Sequence, residues 1–92
     1  MNNIEKTLEQ RGARYGKFVD HARYSQLMKD AFVAYMGPQK YDSLQPDQKE
    51  ALAMIFHKLA RIANGDPNYA DSWIDIAGYA KLVADRLEGI ER

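Results

Sequence analysis

The sequence predicts an all-α fold, a small bundle of about four helices. Apolar residues recur at three-and-four spacing through each long segment, which gathers them on one stripe of a 3.6-residue helix. No segment of useful length alternates with the period of two that a half-buried strand needs. Gly-Pro, Asn-Gly and paired-glycine signals separate the segments.

The elements follow in order. Residues 4–11 form a short helix that Asn2 or Asn3 can cap and Gly12 can end, with Ile4 and Leu8 one turn apart. The run Arg11-Gly12-Ala13-Arg14-Tyr15-Gly16 then suits a turn with positive φ. A second helix covers about residues 20–36, with Asp20 as cap, Gly37-Pro38 as stop and Tyr24, Leu27, Met28, Ala31 and Tyr35 as its apolar stripe. Residues 38–45 read as a polar connector. Pro46 suits a first helical position, where its missing N–H has no helical partner to lose. The third helix, residues 46–63, turns Leu52, Ile55, Phe56, Leu59 and Ile62 inward, and Asn64-Gly65 reads as a left-handed cap with Pro67 beyond it. The last helix starts between Pro67 and Asp71 and runs to about Leu87, burying Trp73, Ile76, Ala77, Ala80, Val83 and Leu87.

With 92 residues, the chain has enough length for one domain, residues 1–92, and one modest core. At 46% apolar and 28% charged residues, the composition is that of a folding chain, far from the signature of disorder. Cysteine is absent, so disulfides and thiolate metal sites are excluded. With no signal-peptide pattern and no membrane-length apolar run, the cytoplasm is the expected compartment. Thirteen basic and thirteen acidic residues cancel, which argues against nucleic acid or an acidic membrane as partner. Charge is nevertheless uneven. Arg11, Arg14, Lys17, Arg23 and Lys29 make the early part basic, while between residues 62 and 80 the charges are Asp66, Asp71 and Asp75. The two strips can pair with each other, with a second copy, or with a metal-bound anionic ligand.

On the third helix, Glu50, Met54, His57 and Arg61 share a stripe opposite the apolar one, flanked by Lys58. Asp71 and Asp75 lie one turn apart on the last helix with Gly78 below them. Two such carboxylates, joined by a third from a neighbouring helix, can share magnesium, which favours oxygen ligands and completes its shell with phosphates. The bound metal can also activate a water toward a phosphoanhydride. The same residues have structural roles open to them: acidic residues in a first helical turn suit the macrodipole, Asp71 can cap, and a polar stripe can be a solvated face. His57 lacks a second histidine at metal-ligand spacing. Arg11, Arg14 and Tyr15 between glycines can bind an anion or simply connect helices. Trp73, Tyr69 and Tyr79 can stack on a base or pack at a rim. Phosphate-loop, dinucleotide and nucleophile-elbow motifs are absent from the sequence.

The stretches Leu8-Glu9-Gln10-Arg11-Gly12-Ala13-Arg14-Tyr15-Gly16-Lys17-Phe18 and Gly65-Asp66-Pro67-Asn68-Tyr69-Ala70-Asp71-Ser72-Trp73-Ile74-Asp75-Ile76-Ala77-Gly78-Tyr79-Ala80 resemble two signature segments of a small, uncharacterised family of phage and prophage proteins. More distantly, a helix with lysine and arginine followed by an aspartate-rich helix ending in Gly-Tyr-Ala is similar to the all-α, MazG-like nucleoside triphosphate pyrophosphohydrolases. That resemblance implies a dimer or tetramer, magnesium held by acidic residues on paired helices, and pyrophosphate release from nucleotides. In place of an E-E-x-x-E motif this chain offers Glu50, and Asp71-x-x-x-Asp75 stands for a Glu-x-x-Asp pair.

The expectation is thus a magnesium-dependent nucleotide-binding protein. Glu50, Asp71 and Asp75 hold the metal, Lys58, Arg61 and Arg14 contact phosphates, and Trp73 or Tyr79 faces the base. The alternative is a phage-encoded interaction module that binds a host or phage protein without turnover. Either suits a homodimer or higher homo-oligomer that buries part of the surface between Tyr24 and Tyr35 and completes a small core.

Overall fold

Of the two asparagines able to cap the first helix, Asn2 does so, its side-chain oxygen accepting the Glu5 N–H at 2.8 Å. The computed structural model describes residues 2–92, which form α1 (Asn3–Tyr15), α2 (Phe18–Met36), α3 (Pro38–Asp42), α4 (Pro46–Asn64) and α5 (Ala70–Leu87). Among the described residues there is no strand, and α1, α2, α4 and α5 are the four main helices of a small all-α bundle. No helix among them is long and apolar enough to cross a membrane.

Several boundaries differ from the sequence reading, each for a local reason. Gly12 does not end α1; it sits inside the helix with open space beside it, and the stop is Gly16 at φ 77°. The second helix starts at Phe18, before Asp20, which lies in the first turn where its charge suits the helix dipole. Part of the polar connector is the one-turn helix α3, led by Pro38. Pro46 does open α4, and Gln45 and Gln48 form a reciprocal capping box around it. Gly65 is not left-handed, with φ −132° and ψ −137°, so its glycine has another purpose.

Helix α4 is the middle of a layer, with α5 along one side and α2 along the other. Arg86 forks onto Asp47 at 2.7 and 2.8 Å, and Lys58 meets Asp75 at 3.1 Å. From Asp47 to Lys58 is eleven positions up α4 and from Arg86 to Asp75 eleven positions down α5, so the two helices run antiparallel in one register. On the α2 side, Phe32 packs edge-on against Phe56 and His21 meets His57. At the end of α5, Asp85 is buried and holds both Lys81 and Arg92, while its carbonyl accepts the Ile90 N–H.

The buried apolar residues among those described are Ala51, Phe56 and Ala60. The stripes assigned to the core are less covered than their spacing predicts. Leu52, Ile55, Leu59 and Ile62 are half-buried, while Trp73, Ala77, Ala80 and Leu87 of α5 and Tyr24, Leu27, Ala31 and Tyr35 of α2 are exposed. The reason is the layer itself: α2 and α5 flank α4 and leave one apolar face without a lid. The radius of gyration, 15.2 Å, accordingly exceeds the roughly 12 Å of a compact domain of this length.

Candidate functional site

The turn between α1 and α2 is clasped by the end of α4. Asn64 Nδ2 donates to the carbonyls of Tyr15 at 2.8 Å and Lys17 at 3.0 Å, and the Asp66 N–H donates to the Arg14 carbonyl at 2.7 Å. Gly16, in the left-handed region, lies against Asn64, where a side chain would collide with the Asn64 carbonyl. Gly65 lies against the backbone of Arg14 and Tyr15, which explains a glycine with ordinary negative φ: the two chains approach too closely for a Cβ.

That clasp places the last turn of α1 and the first residues of α2 opposite His57 and Arg61 of α4. Between them is a hollow of 420 Å³. Arg11, Lys17 and Arg61 bring cations to it, Leu8, Tyr15 and Phe18 bring apolar surface, and His21 and His57 complete the wall; no carboxylate lines it. The Arg61 guanidinium lies 4.1 Å over the Tyr15 ring, which shields one of its faces and leaves its N–H edges for a ligand. The Phe18 ring is 69% exposed beside His21.

His21 and His57 share one hydrogen bond, Nε2 to Nδ1, at 3.2 Å. His21 is 6% exposed, and its Nδ1 is buried without a partner in the protein. Burial, followed by the charges of Arg61 and Lys58, holds the His21 pKa below its ordinary value. His57 is pushed down to about 4 by burial, then by His21, Arg61 and Lys58. Both rings are therefore neutral at pH 7, each carrying one N–H, and one of them donates to the other. An anion in the hollow meets three cations and no competing negative charge, and it favours the protonated form of the pair.

The residues singled out in the sequence do not all gather here. Arg61 lines the hollow. Arg14 turns away, its guanidinium stacked 4.5 Å from the Tyr69 ring centre and donating to the Tyr69 hydroxyl at 2.7 Å; that hydroxyl in turn donates to Asp71 at 2.9 Å. The neighbouring carboxylate raises the Tyr69 pKa. Lys58 is 8% exposed and committed to Asp75. The Trp73 indole donates to the Pro67 carbonyl at 2.8 Å, and Tyr79 lies half-buried against α4 near Glu50 and Arg86.

Nor do Glu50, Asp71 and Asp75 converge. In the antiparallel register Asp71 stands opposite residue 62, twelve positions from Glu50, or about 18 Å along α4. Among the described residues no group of three His, Asp or Glu side chains is placed to hold a metal ion. Asp71 is engaged by Tyr69 and Asp75 by Lys58, so these three carboxylates do not fit a resident magnesium within one chain. The spacing of four on α5 was real, but its third partner lies at the other end of the hairpin.

Lys17 stands in the sequence only as one member of the basic strip, and the sequence pattern does not single out His21 and Phe18 as site residues. The signal for His21 was thin: it is one of two histidines, separated from the other by 36 positions and adjacent to a residue read as a cap.

Fold and hollow together define a small all-helical domain with a cation-lined cleft beside its first interhelical turn. The chain belongs to the family described as Domain of unknown function (DUF6378), whose model matches residues 1–87. No curated protein and no solved structure matches it.

Proposed function

We propose that the protein binds a nucleotide in the hollow between the α1–α2 turn and α4. One observation carries this reading: Arg11, Lys17 and Arg61 surround a carboxylate-free cavity of 420 Å³, within the usual range for small-ligand sites. Phosphates face the three cations, and the exposed Phe18 ring offers the base a stacking surface. Magnesium enters this reading as the counter-ion that a di- or triphosphate brings with it. The pyrophosphohydrolase activity implied by the MazG-like resemblance is not needed for binding and is tested separately.

The test is isothermal titration with nucleoside mono-, di- and triphosphates, with and without magnesium, beside a pyrophosphate-release assay. Arg61→Ala is expected to weaken triphosphate binding by on the order of 10- to 100-fold, the loss of one charge-assisted contact. Asp75→Asn, in contrast, leaves affinity within about threefold of wild type, because Asp75 serves Lys58 and not the ligand. Loss of binding in Asp75→Asn with a retained fold moves the site to the aspartates of α5. Absence of heat with every nucleotide and with inorganic tripolyphosphate overturns the proposal.

A second reading, a phage-encoded module that binds a host or phage protein without turnover, is favoured by the large apolar side chains that stay at the surface, Leu27, Tyr35 and Trp73 among them.

A further inference from the structure

One face of the α2–α4–α5 layer is apolar and open. On α4, Leu52, Ile55, Leu59 and Ile62 succeed one another at steps of three, four and three and are only half-buried. On α5, Trp73, Ala77, Ala80, Ala84 and Leu87 succeed one another at steps of four and three, all exposed and none polar. The two stripes border one hollow, where Leu52 and Ile55 meet Ala80 and Val83, with Phe32 and Met36 of α2 at its edge. Gln48 is the one polar side chain there.

Surface area measures what is missing. The protein exposes 6724 Å², whereas a compact monomer of 10.5 kDa exposes about 5400 Å². The excess, roughly 1300 Å², includes the exposed α1 and leaves room for the roughly 1000 Å² that one subunit gives to a large, apolar homodimer interface.

We propose that the protein is a homodimer that closes this α4–α5 face on a second copy, with α5 crossing α5 about a two-fold axis near Ala80. The stripe is its own complement. Trp73 and Leu87 stand seven positions either side of Ala80, so a two-fold there sets Trp73 against Leu87 of the partner subunit. Alanines at the centre let the helices approach closely, and the bulky ends fill the flanks. No charge on the stripe opposes like charge across the axis, and the zero net charge adds no long-range repulsion. The exposed stripe of α2 is less suited, since Arg23 lies 5.3 Å over the Tyr24 ring and so brings a charge to its end.

The chain has no cysteine, so a single introduced thiol reports the axis directly. Sedimentation of the full wild-type chain is expected to give twice the monomer mass. Under mild oxidation Ala80→Cys is expected to form a covalent dimer on the order of tenfold faster than Tyr35→Cys, because the interface raises its effective concentration and brings the two Cβ atoms within disulfide reach. Both substitutions fall on exposed helical positions. A wild-type monomer overturns the proposal. So does a dimer in which Tyr35→Cys cross-links at least as fast as Ala80→Cys, which puts the interface on α2 or elsewhere.

Discussion

Gly65→Ala is expected to undock α1 and to reduce phosphate-ligand binding at least tenfold, although it adds one methyl group at an ordinary φ. The new Cβ meets the carbonyl oxygen of Arg14 and the Cα of Tyr15, both backbone, so no rotamer change relieves it. Overpacking against a fixed neighbour costs about 3 kcal/mol, a factor of roughly 100 in a local equilibrium. The protein can meet that cost in one inexpensive way. No residue of α1 is buried, and its attachment depends heavily on the clasp in which Asn64, Gly65 and Asp66 grip residues 14–17. Releasing α1 takes Arg11 and Tyr15 out of the hollow and separates Lys17 from Arg61. Amide exchange in α1 is then expected to approach that of a free helix, while α4 and α5 keep most of their protection. Gly12→Ala is the control for the exchange readout: no protein atom lies near its Cβ position, so it is expected to leave the protection of α1 unchanged or to raise helix stability slightly. Full protection of α1 together with wild-type binding in Gly65→Ala contradicts the clasp as the support of the site.

The contrast between those two glycines shows how far the sequence could be read. Helix termini set by local chemistry were legible: Asn2 as a cap and Pro46 as a first helical residue both stand where the pattern places them. The sequence misleads at Gly12 and Gly65, because a glycine's use depends on what faces it, and Gly65 faces a segment fifty positions earlier. The apolar stripes are legible as stripes. What covers them is a tertiary fact, and α2 and α5 take opposite sides of α4 instead of closing on each other. For the site, the basic stretch around residues 11–17 and Arg61 were visible as cations. Arg14 and Lys58 look equally available in the sequence, yet their partners, Tyr69 and Asp75, come from the α4–α5 turn and from α5. A cation count therefore overstates a phosphate site whenever some of the cations are already spoken for.

Between pH 7 and pH 4.5 the protein is expected to lose stability on the order of 2 kcal/mol, and an anion in the hollow is expected to return part of it. His21 and His57 both titrate below the ordinary 6.5 in the folded protein, His57 at about 4. In the unfolded chain they titrate near 6.5, so below that pH the unfolded state binds more protons and is favoured. The stability is fully present above pH 6.5 and is lost as pH falls toward 4, where His57 finally protonates in the fold. The His57 shift alone sets a ceiling of about 3 kcal/mol, and its partial contact with water reduces that. Asp47 and Asp85, whose pKa values Arg86 and Arg92 respectively depress, act below pH 4 and are separable by window. Denaturant melts at half-unit pH steps measure the slope directly, and His57→Gln is expected to flatten the segment between pH 6.5 and 4.5 by removing the most displaced group. Sulfate is the informative ligand because it stays dianionic throughout this range, so any pH dependence belongs to the protein. Bound beside Arg61 and the pair, it raises the histidine pKa values, and its stabilising effect is expected to grow as pH falls from 7.5 to 5.5. Wild-type stability that stays level from pH 7 to 4.5 refutes a buried neutral pair; a sulfate effect that does not grow on acidification separates the pair from the anion site.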